Sequence, residues 1–349
     1  MDKRPSDTRQ RSASSRQRHV RHWATGMAIG CALLLSACSS GGSKTSSTTS
    51  TTSEPANAAA GAAANCSKNL ATGTATIHVT NSGRERTVVV HVPPSAKAGL
   101  PLVLNMHGSG STARAQEAFS DMNATADKHG FVVAYPQAAI PAEGGYDWNV
   151  PGQPLLGGQE VPAGAPNDVA FLQALVGTMI HDYCVSDTHV YATGMSGGAR
   201  MASQLACDAS RTFKAVAPVA GLRFPAGCRP ARAVPVLAFH GTADPIDPYN
   251  GNGQPYWTYS VPVAAQRWAA QNGCRPASGT ISKPPVMTTT YSGCRDNATV
   301  QLVSISGEGH QWPGGPTVPE SLVRELGPQS NAVNANEQMW QFFSAHAPQ

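Results

Sequence analysis

The stretch that decides the fold is Val190-Tyr191-Ala192-Thr193-Gly194-Met195-Ser196-Gly197-Gly198-Ala199-Arg200-Met201-Ala202. A strand-like apolar run at 189–192 leads into a serine flanked by glycines, and a helix-like run follows it. Such a strand, turn and helix force a bend so sharp that the serine side chain projects alone above the sheet. Glycines are needed two residues to either side because a Cβ has no room there. The pattern predicts Ser196 as a nucleophile, and its alternative role is that of a plain helix N-cap.

Short, almost wholly apolar runs recur on both sides of this turn, as expected for parallel strands buried on both faces. They span 102–106, 131–135, 189–192, 215–219, 234–239 and 300–305. Helix-like stretches lie between or after them, at 113–128, 168–183, 198–207, 263–271 and 334–343. Alternating runs at 74–79 and 87–92, joined around Asn81-Ser82-Gly83, predict an antiparallel hairpin ahead of the sheet. The predicted fold class is therefore α/β, with a doubly wound, mostly parallel sheet and an N-terminal hairpin.

A serine hydroxyl attacks only when a base takes its proton and a carboxylate orients that base. In the α/β-hydrolase fold these partners follow the serine, acid first, on loops after later strands. Asp244 follows the run at 234–239, and His310 follows the run at 300–305. The sequence thus predicts an α/β-hydrolase fold with a triad of Ser196, Asp244 and His310. Asp247 is the alternative acid, either carboxylate being able to serve as a turn residue.

The tetrahedral intermediate of acyl transfer needs two backbone N–H donors for its developing negative charge. Gly197, directly after the nucleophile, is predicted to supply one. Ser109, with Gly108 as its neighbour, is predicted to supply the other from the loop after the run at 102–106. Asp168 precedes Ser196 in the chain and lies where a helix N-cap belongs, so we interpret it as structural.

The N-terminus has the features of an export signal. Basic residues precede an apolar run at 24–37 that is too short to span a bilayer, and the run ends in Leu35-Ser36-Ala37-Cys38. That ending resembles a bacterial lipobox, which predicts a lipoprotein signal peptide at 1–37 and a lipid on Cys38. A conventional cleaved signal is the alternative. Residues 38–65 are rich in Ser, Thr, Gly and Ala and predict a flexible tether, with the catalytic domain at 66–349.

Setting aside Cys31 and Cys38 leaves an even number of cysteines for an oxidising compartment. They are Cys66, Cys184, Cys207, Cys228, Cys274 and Cys294. Sequence allows about 15 connectivities. Proximity favours Cys207 with Cys228 and Cys274 with Cys294, which leaves Cys66 with Cys184. No CxxC or HExxH spacing supports a metal site, so we predict no metal and no cofactor.

The charge pattern gives no indication of nucleic-acid binding. The formal net charge is +4, with 25 basic and 21 acidic residues. Seven of the basic residues and two of the acidic ones precede residue 38, which leaves 18 basic and 19 acidic residues in the rest. Such a near-neutral body gives no reason to expect nucleic acid as a partner.

Four blocks, 103–110, 186–198, 240–245 and 309–314, together resemble the secreted poly(3-hydroxybutyrate) depolymerase and feruloyl esterase family. The resemblance covers about residues 66–346. It implies an α/β-hydrolase fold, ester hydrolysis without a cofactor, and the same three catalytic residues. It also implies an aromatic contact from Trp312 beside the acyl site. We add His107 as a candidate substrate-binding residue, with packing at a strand end as its alternative. One departure is Ser196-Gly197-Gly198, where many members have Ser-Asn-Gly-Gly.

The sequence therefore predicts an extracellular or envelope-bound serine esterase, anchored to the membrane by its lipid. Its substrate would be a polyester fragment, an acylated polysaccharide or a phenolic ester. A serine peptidase of the same fold and a catalytically inactive surface-binding protein are the alternatives. Three aromatic residues, Trp148, Tyr256 and Trp257, are either a platform for a sugar or phenolic group or packed against the core.

Overall fold

The protein is described from a computed structural model that covers residues 71–277 and 279–347. The strands are β1 Gly73–Asn81, β2 Arg84–Val92, β3 Leu102–Met106, β4 Val132–Pro136, β5 Ile140–Ala142, β6 Gly145–Asp147, β7 Val190–Met195, β8 Ala215–Val219, β9 Val236–Gly241, β10 Gly279–Lys283, β11 Val286–Tyr291 and β12 Val300–Ile305. The α-helices are α1 Ala113–Ser120, α2 Met122–His129, α3 Asp168–Tyr183, α4 Gly197–Asp208, α5 Val261–Gln271, α6 Glu320–Leu326 and α7 Ala335–Ala345.

One large sheet organises the molecule, in the strand order β1-β2-β4-β3-β7-β8-β9-β12-β11-β10. Its six central strands, from β4 to β12 in that order, are parallel to one another. Antiparallel strands extend both edges, β1 and β2 on one side and β10 and β11 on the other. The predicted α/β-hydrolase class and the N-terminal hairpin are confirmed. The carboxyl ends of β3, β7, β9 and β12 carry the predicted site residues.

Hydrophobic cores cover both faces of the sheet. Alternating residues of β2 divide between them, with Val88 and Val90 in one core and Val89 in the other. Helices α3, α4 and α5 pack on the first face, while α1, α2 and α7 pack on the second. This two-sided burial explains why the central strands consist of continuous apolar runs. Within the described ranges no helix combines the length and apolarity needed to cross a membrane.

The structure departs from the predicted elements at several places, among them the unpredicted two-stranded sheet of β5 and β6. The predicted helix at 113–128 is two helices, because Asp121 adopts a left-handed φ of 48° and its N–H bonds back to Glu117 O. Strands β10 and β11 were not predicted, since they lack an apolar run and β10 is exposed along its length. The short helix α6 was not predicted either. It lies between the predicted histidine loop and α7, and it contributes to the site below.

Candidate active site

Ser196 occupies a strained turn between β7 and α4. Its backbone angles are φ 52° and ψ −114°, a region that residues other than glycine rarely adopt. The N–H of Ser196 donates to Val219 O at 2.9 Å, which ties the turn to the end of β8. Its hydroxyl makes no capping hydrogen bond to α4. The serine side chain is therefore not engaged as an N-cap, and it borders a cavity instead.

Glycines around Ser196 lie too close to the neighbouring backbone to carry a side chain. A Cβ on Gly194 would stand 2.6 Å from Met106 O, and one on Gly198 would overlap the same oxygen. A Cβ on Gly221 would overlap Ser196 O. Gly194 and Gly198, two residues to either side of the serine, are the ones that the G-x-S-x-G pattern was expected to require. Gly221 is an additional one that the sequence did not single out.

His310 and Asp244 meet above the ends of β9 and β12. His310 Nδ1 donates to Asp244 Oδ2 at 2.7 Å, and both side chains are almost wholly buried. The other carboxylate oxygen, Oδ1, accepts the backbone N–H groups of Ile246 and Asp247, each at 2.8 Å. These bonds fix the carboxylate on both sides. An imidazole held this way at Nδ1 has Nε2 left for proton transfer.

The surroundings of Asp244 favour its ionised form. Burial acts to raise the pKa of Asp244, but the charge of His310 and hydrogen bonds from His240 and His310 outweigh it and hold that pKa well below the ordinary range. His240 Nε2 lies 3.3 Å from Asp244 Oδ2 and donates to Asp247 O at 2.7 Å. The site thus keeps a negative charge beside His310, an arrangement that can stabilise an imidazolium.

Ser196 and His310 line one cavity of about 590 Å³. Its walls are largely apolar and come from the loop after β3, helix α1, the elbow and the segment that includes α6. The main apolar residues are Ala115, Ala118, Phe119, Leu156, Met195, Ile246, Pro316, Val318, Pro319, Leu322 and Leu326. The cavity is large enough for a small ester, and the predicted nucleophile and the predicted base both face it.

The two predicted oxyanion donors belong to loops that lie against each other. A Cβ on Gly197 would stand 3.1 Å from Ser109 N, and one on Gly108 would stand 3.4 Å from Ser196 Cβ. The loop after β3 is held by Asp147, whose Oδ1 accepts the N–H of Gly110 at 2.8 Å. A side chain at residue 197 would crowd Ser109, which gives a reason for glycine at this position.

His107 and Trp312, the predicted substrate contacts, do not line the cavity, and both are 0% exposed. The ring of His107 bonds through Nδ1 to Gly108 O at 2.7 Å and through Nε2 to the N–H of Ala138 at 3.0 Å. Burial lowers the pKa of His107 to about 4, so the ring is neutral at neutral pH. Trp312 Nε1 donates to Asn336 Oδ1 at 3.0 Å. Both residues hold neighbouring segments of the site in place through these bonds.

Other residues marked in the sequence have structural positions. Asp168 pairs with Arg86 at 2.8 Å and is the first residue of α3, whereas Asn167 is the N-cap. The indole N–H of Trp148 donates to His107 O, and that of Trp257 donates to Pro248 O. Both tryptophans are buried and belong to the core beneath the site, which favours packing over a platform.

Two disulfides join the pairs that proximity favoured. Cys207 bonds to Cys228 and Cys274 bonds to Cys294. The remaining pairing involves Cys66, which lies outside the described residues together with Cys38 and the predicted signal and tether. Within residues 71–277 and 279–347, no group of three or more His, Cys, Asp or Glu is placed to hold a metal ion.

Comparison with known proteins identifies the family. The sequence model described as esterase PHB depolymerase matches residues 87–251. NocK of Nocardia uniformis subsp. tsuyamanensis, whose name marks it as a candidate esterase, is 32% identical over 297 residues, which cover 76% of this chain and 82% of NocK. The chain belongs to the esterase PHB depolymerase family. This member is also 28% identical to feruloyl esterase B of Piromyces equi over 64% of its own length, but it spans only 42% of that protein.

Solved structures agree on the fold of this esterase. An acetyl xylan esterase from Aspergillus awamori superposes with a TM-score of 0.51 at 18% identity, over 72% of this chain and 98% of that chain. At this identity the likeness shows the α/β-hydrolase fold. Membership of the family makes the chain a carboxylic ester hydrolase, in agreement with the prediction from the serine turn.

A buried ion pair that the sequence did not indicate joins helix α4 of the esterase to the loop of Asp244. Arg200 Nη2 lies 2.6 Å and 2.5 Å from the two carboxylate oxygens of Asp247, and both side chains are at most 4% exposed. The backbone of Asp247 bonds to Asp244 and His240 as described above. Asp247, the alternative acid, therefore has its carboxylate committed to Arg200. The signal in the sequence was the arginine four residues after the serine, in the first turn of the helix that follows the elbow.

Glu308, two residues before His310, is a second buried group that sequence reasoning missed. It is 1% exposed, and its Oε2 has no hydrogen-bond partner in the part of the chain that the structure describes. Burial raises the pKa of Glu308 to about 8, and the nearby charge of Asp244 adds to this rise. A long hydrogen bond from the N–H of Ser330 acts in the opposite direction. The carboxyl is therefore protonated in the folded protein at neutral pH.

Replacing Glu308 with glutamine is expected to stabilise the protein in mild alkali. The ordinary pKa is 4.5, so the folded state holds a proton that the unfolded state lacks between about pH 4.5 and 8. Stability of the wild type then falls as pH rises through this window. The quantity to compare is the Tm of Glu308→Gln minus the Tm of the wild type. We expect this difference to be about 3 °C larger at pH 8.5 than at pH 5. Equal Tm differences at both pH values would contradict this, and exposed Glu160→Gln is the control.

Proposed function

We propose that this esterase uses Ser196 as nucleophile, His310 as general base and Asp244 as the orienting acid. The observation that carries the proposal is the 2.7 Å bond between His310 Nδ1 and Asp244 Oδ2, with His310 and Ser196 on one cavity. The same geometry, rather than sequence order alone, favours Asp244 over Asp247.

In the first half of the reaction, Ser196 Oγ attacks the acyl carbon of the ester and His310 Nε2 takes the hydroxyl proton. The N–H groups of Ser109 and Gly197 hold the oxyanion. Collapse of the tetrahedral intermediate breaks the bond to the alcohol, which leaves with the proton from His310. Water then attacks the acyl-enzyme through the same base and releases the acid. Atoms and charges balance without a cofactor.

The substrate we propose is an ester with an uncharged, largely apolar acyl or alcohol part, because the cavity walls are mostly apolar. A direct test is to compare p-nitrophenyl acetate turnover with the release of ferulate, acetate and 3-hydroxybutyrate from matched esters. We expect turnover of p-nitrophenyl acetate and a clear preference among the three acids. Folded protein that hydrolyses none of these substrates would overturn the proposal.

We also propose that the esterase is exported and held on the membrane by lipid at Cys38. The two disulfides support an oxidising compartment, and several acyl chains would anchor the chain firmly. In cells given labelled palmitate, we expect incorporation that is lost in Cys38→Ala and kept in Cys31→Ala, and processing that globomycin blocks. A protein that is released unlabelled in the wild type would instead have a conventional cleaved signal.

Replacing Arg200 with methionine is expected to lower kcat about tenfold to 100-fold and to change KM less than about threefold. Loss of the guanidinium leaves Asp247 buried without its partner and frees the loop that fixes Asp244. The double variant Arg200→Met/Asp247→Asn removes the unpaired charge, so we expect it to regain part of the lost stability. Steady-state kinetics and thermal melts check both points. Unchanged kcat in a folded Arg200→Met protein would show that the ion pair does not position the acid.

A further inference from the structure

Gln116 is the one strongly buried polar side chain outside the proposed catalytic machinery among the described residues that line the cavity. It lies on α1, is 2% exposed, and borders the same space as Ser196 and His310. Apolar residues of α1 and α6 surround that space, including Phe119 and Leu322. A buried amide in such a wall requires partners for its polar atoms.

A hydrogen-bond network fixes which way the amide of Gln116 faces. The hydroxyl of Ser120 donates its only hydrogen to the backbone carbonyl oxygen of Gln116, at 2.8 Å. Ser120 Oγ must therefore accept from Asn105, whose Nδ2 lies 3.0 Å away. Asn105 Nδ2 also approaches the sulfur of Met122 at 3.6 Å. Asn105 therefore turns its Oδ1 towards Gln116, and Gln116 Nε2 donates to it at 2.9 Å.

The network extends to the histidine loop. Trp312 can only donate, and its Nε1 bonds to Asn336 Oδ1 at 3.0 Å, which turns Asn336 Nδ2 towards Ser120 O at 2.7 Å. Ser120 is thus held from two sides. The Gln116 amide must therefore turn its Nε2 towards Asn105 Oδ1, because the reverse orientation would place two acceptors against each other.

The amide oxygen of Gln116 is left over. It has no hydrogen-bond partner within residues 71–277 and 279–347, and it is not among the fully enclosed unpartnered atoms of that part of the chain. Since the residue borders the cavity and is otherwise buried, the small accessible part of Gln116 faces the ligand space. The cavity is therefore bordered by a preoriented acceptor, Gln116 Oε1, to which no side chain or backbone N–H of the described residues donates.

We propose that Gln116 Oε1 is a specificity-determining acceptor that selects esters carrying a hydroxyl group. The inference rests on the proposed function and deepens it by naming a feature of the substrate. The hydroxyl of a bound ester donates to Gln116 Oε1. An analogue without a hydroxyl displaces the water from this oxygen and leaves it without a donor. A site built around such an acceptor discriminates against the analogue because an unmade buried hydrogen bond is costly.

The test uses two series of ethyl esters that differ only in the presence of the donor. One series is ethyl 3-(4-hydroxyphenyl)propanoate, its 4-methoxy analogue and its unsubstituted parent. The other is ethyl 3-hydroxybutanoate, its 3-methoxy analogue and ethyl butanoate. Each kcat/KM is divided by the rate constant for alkaline hydrolysis of the same ester, which corrects for differences in chemical reactivity between the esters. The methoxy analogues keep the oxygen but lose the donor.

For the wild type we expect the hydroxyl-to-methoxy ratio of kcat/KM to be about threefold to tenfold in at least one series, as one neutral hydrogen bond provides. Gln116→Met should bring that ratio close to one, and Gln116→Glu, which keeps an acceptor, should retain a preference for the hydroxyl. Gln173→Met, an exposed glutamine of α3, is the matched control. Melts establish that each variant is folded, and the wild-type ratios test the inference even if Gln116→Met does not fold.

Two results would overturn the inference: ratios near one in both series for the wild type, or a ratio that Gln116→Met leaves unchanged. Both leave the proposed function intact, provided that the wild type hydrolyses the esters through Ser196. Failure of the proposed function is separate, since it would appear as hydrolysis that survives loss of the Ser196 hydroxyl.

Discussion

Ser196→Ala is expected to lower kcat for p-nitrophenyl acetate by about 10⁴-fold to 10⁶-fold, while the protein stays folded. The hydroxyl is the only group at the elbow that we expect to form the acyl-enzyme. The residual rate would come from the oxyanion donors and from binding alone. The strained turn provides a further readout, because φ of 52° at residue 196 penalises alanine as it does serine. Thermal stability should therefore change little.

Steady-state hydrolysis by the folded variant, beside the wild type and Ser282→Ala, measures this effect. Ser282 is an exposed serine on β10, far along the sheet from the elbow. We expect its loss to leave kcat unchanged. If Ser196→Ala retained more than about one tenth of the wild-type kcat, another group would have to be the nucleophile.

Asp244→Asn is expected to lower kcat about 10⁴-fold, whereas Asp247→Asn should cost less than about 30-fold. An asparagine at residue 244 can donate to His310 Nδ1 and so stabilise the wrong tautomer, and it lacks the charge that stabilises the imidazolium. Residue 247 only positions the loop, and asparagine there keeps one acceptor for Arg200 and both backbone bonds.

The two substitutions are chemically matched and lie three residues apart, so the comparison separates the acid from its neighbour. Measuring kcat on folded protein between pH 5 and 9 distinguishes a lost base orientation from a shifted pH optimum. The larger loss falling on Asp247→Asn would reverse the assignment of the acid.

Much of the fold could be predicted because the central strands are buried on both faces. Continuous apolar runs gave the positions of β3, β8 and β12 to the residue, and turn chemistry at Asn81-Ser82-Gly83 gave the first hairpin. The second edge hairpin could not be predicted in this way. Strands β10 and β11 carry mainly Ser, Thr and Lys, and none of their residues is buried, so their pairing is set by the neighbouring strand β12 rather than by their own pattern.

Three side chains of the site could be placed from sequence since each follows a strand end, and a parallel sheet brings such ends to one edge. The roles of the surrounding residues could not be inferred in the same way. Trp312 was expected at the acyl site from a family resemblance, but its indole N–H requires an acceptor and finds Asn336 on α7. That contact joins segments 24 residues apart, and no local pattern reports it.

Arg200 and Gln116 show the same limit. Each lies on a helix whose apolar spacing was recognised, but their partners, Asp247 and Asn105, come from loops or strands elsewhere in the chain. A charged or amide side chain on the buried side of a helix signals that a partner exists without saying which one. Packing of α1 and α4 against the sheet decides it.

The most direct test of the catalytic assignment is to treat the folded protein with a fluorophosphonate and to locate the adduct by peptide mass spectrometry. We expect one phosphonyl group per chain, on the peptide that contains Ser196, with loss of esterase activity in proportion to labelling. Asp244→Asn should slow the labelling strongly. Full esterase activity in protein that stays unlabelled at Ser196, or inactivation through a different residue, would contradict the proposed triad.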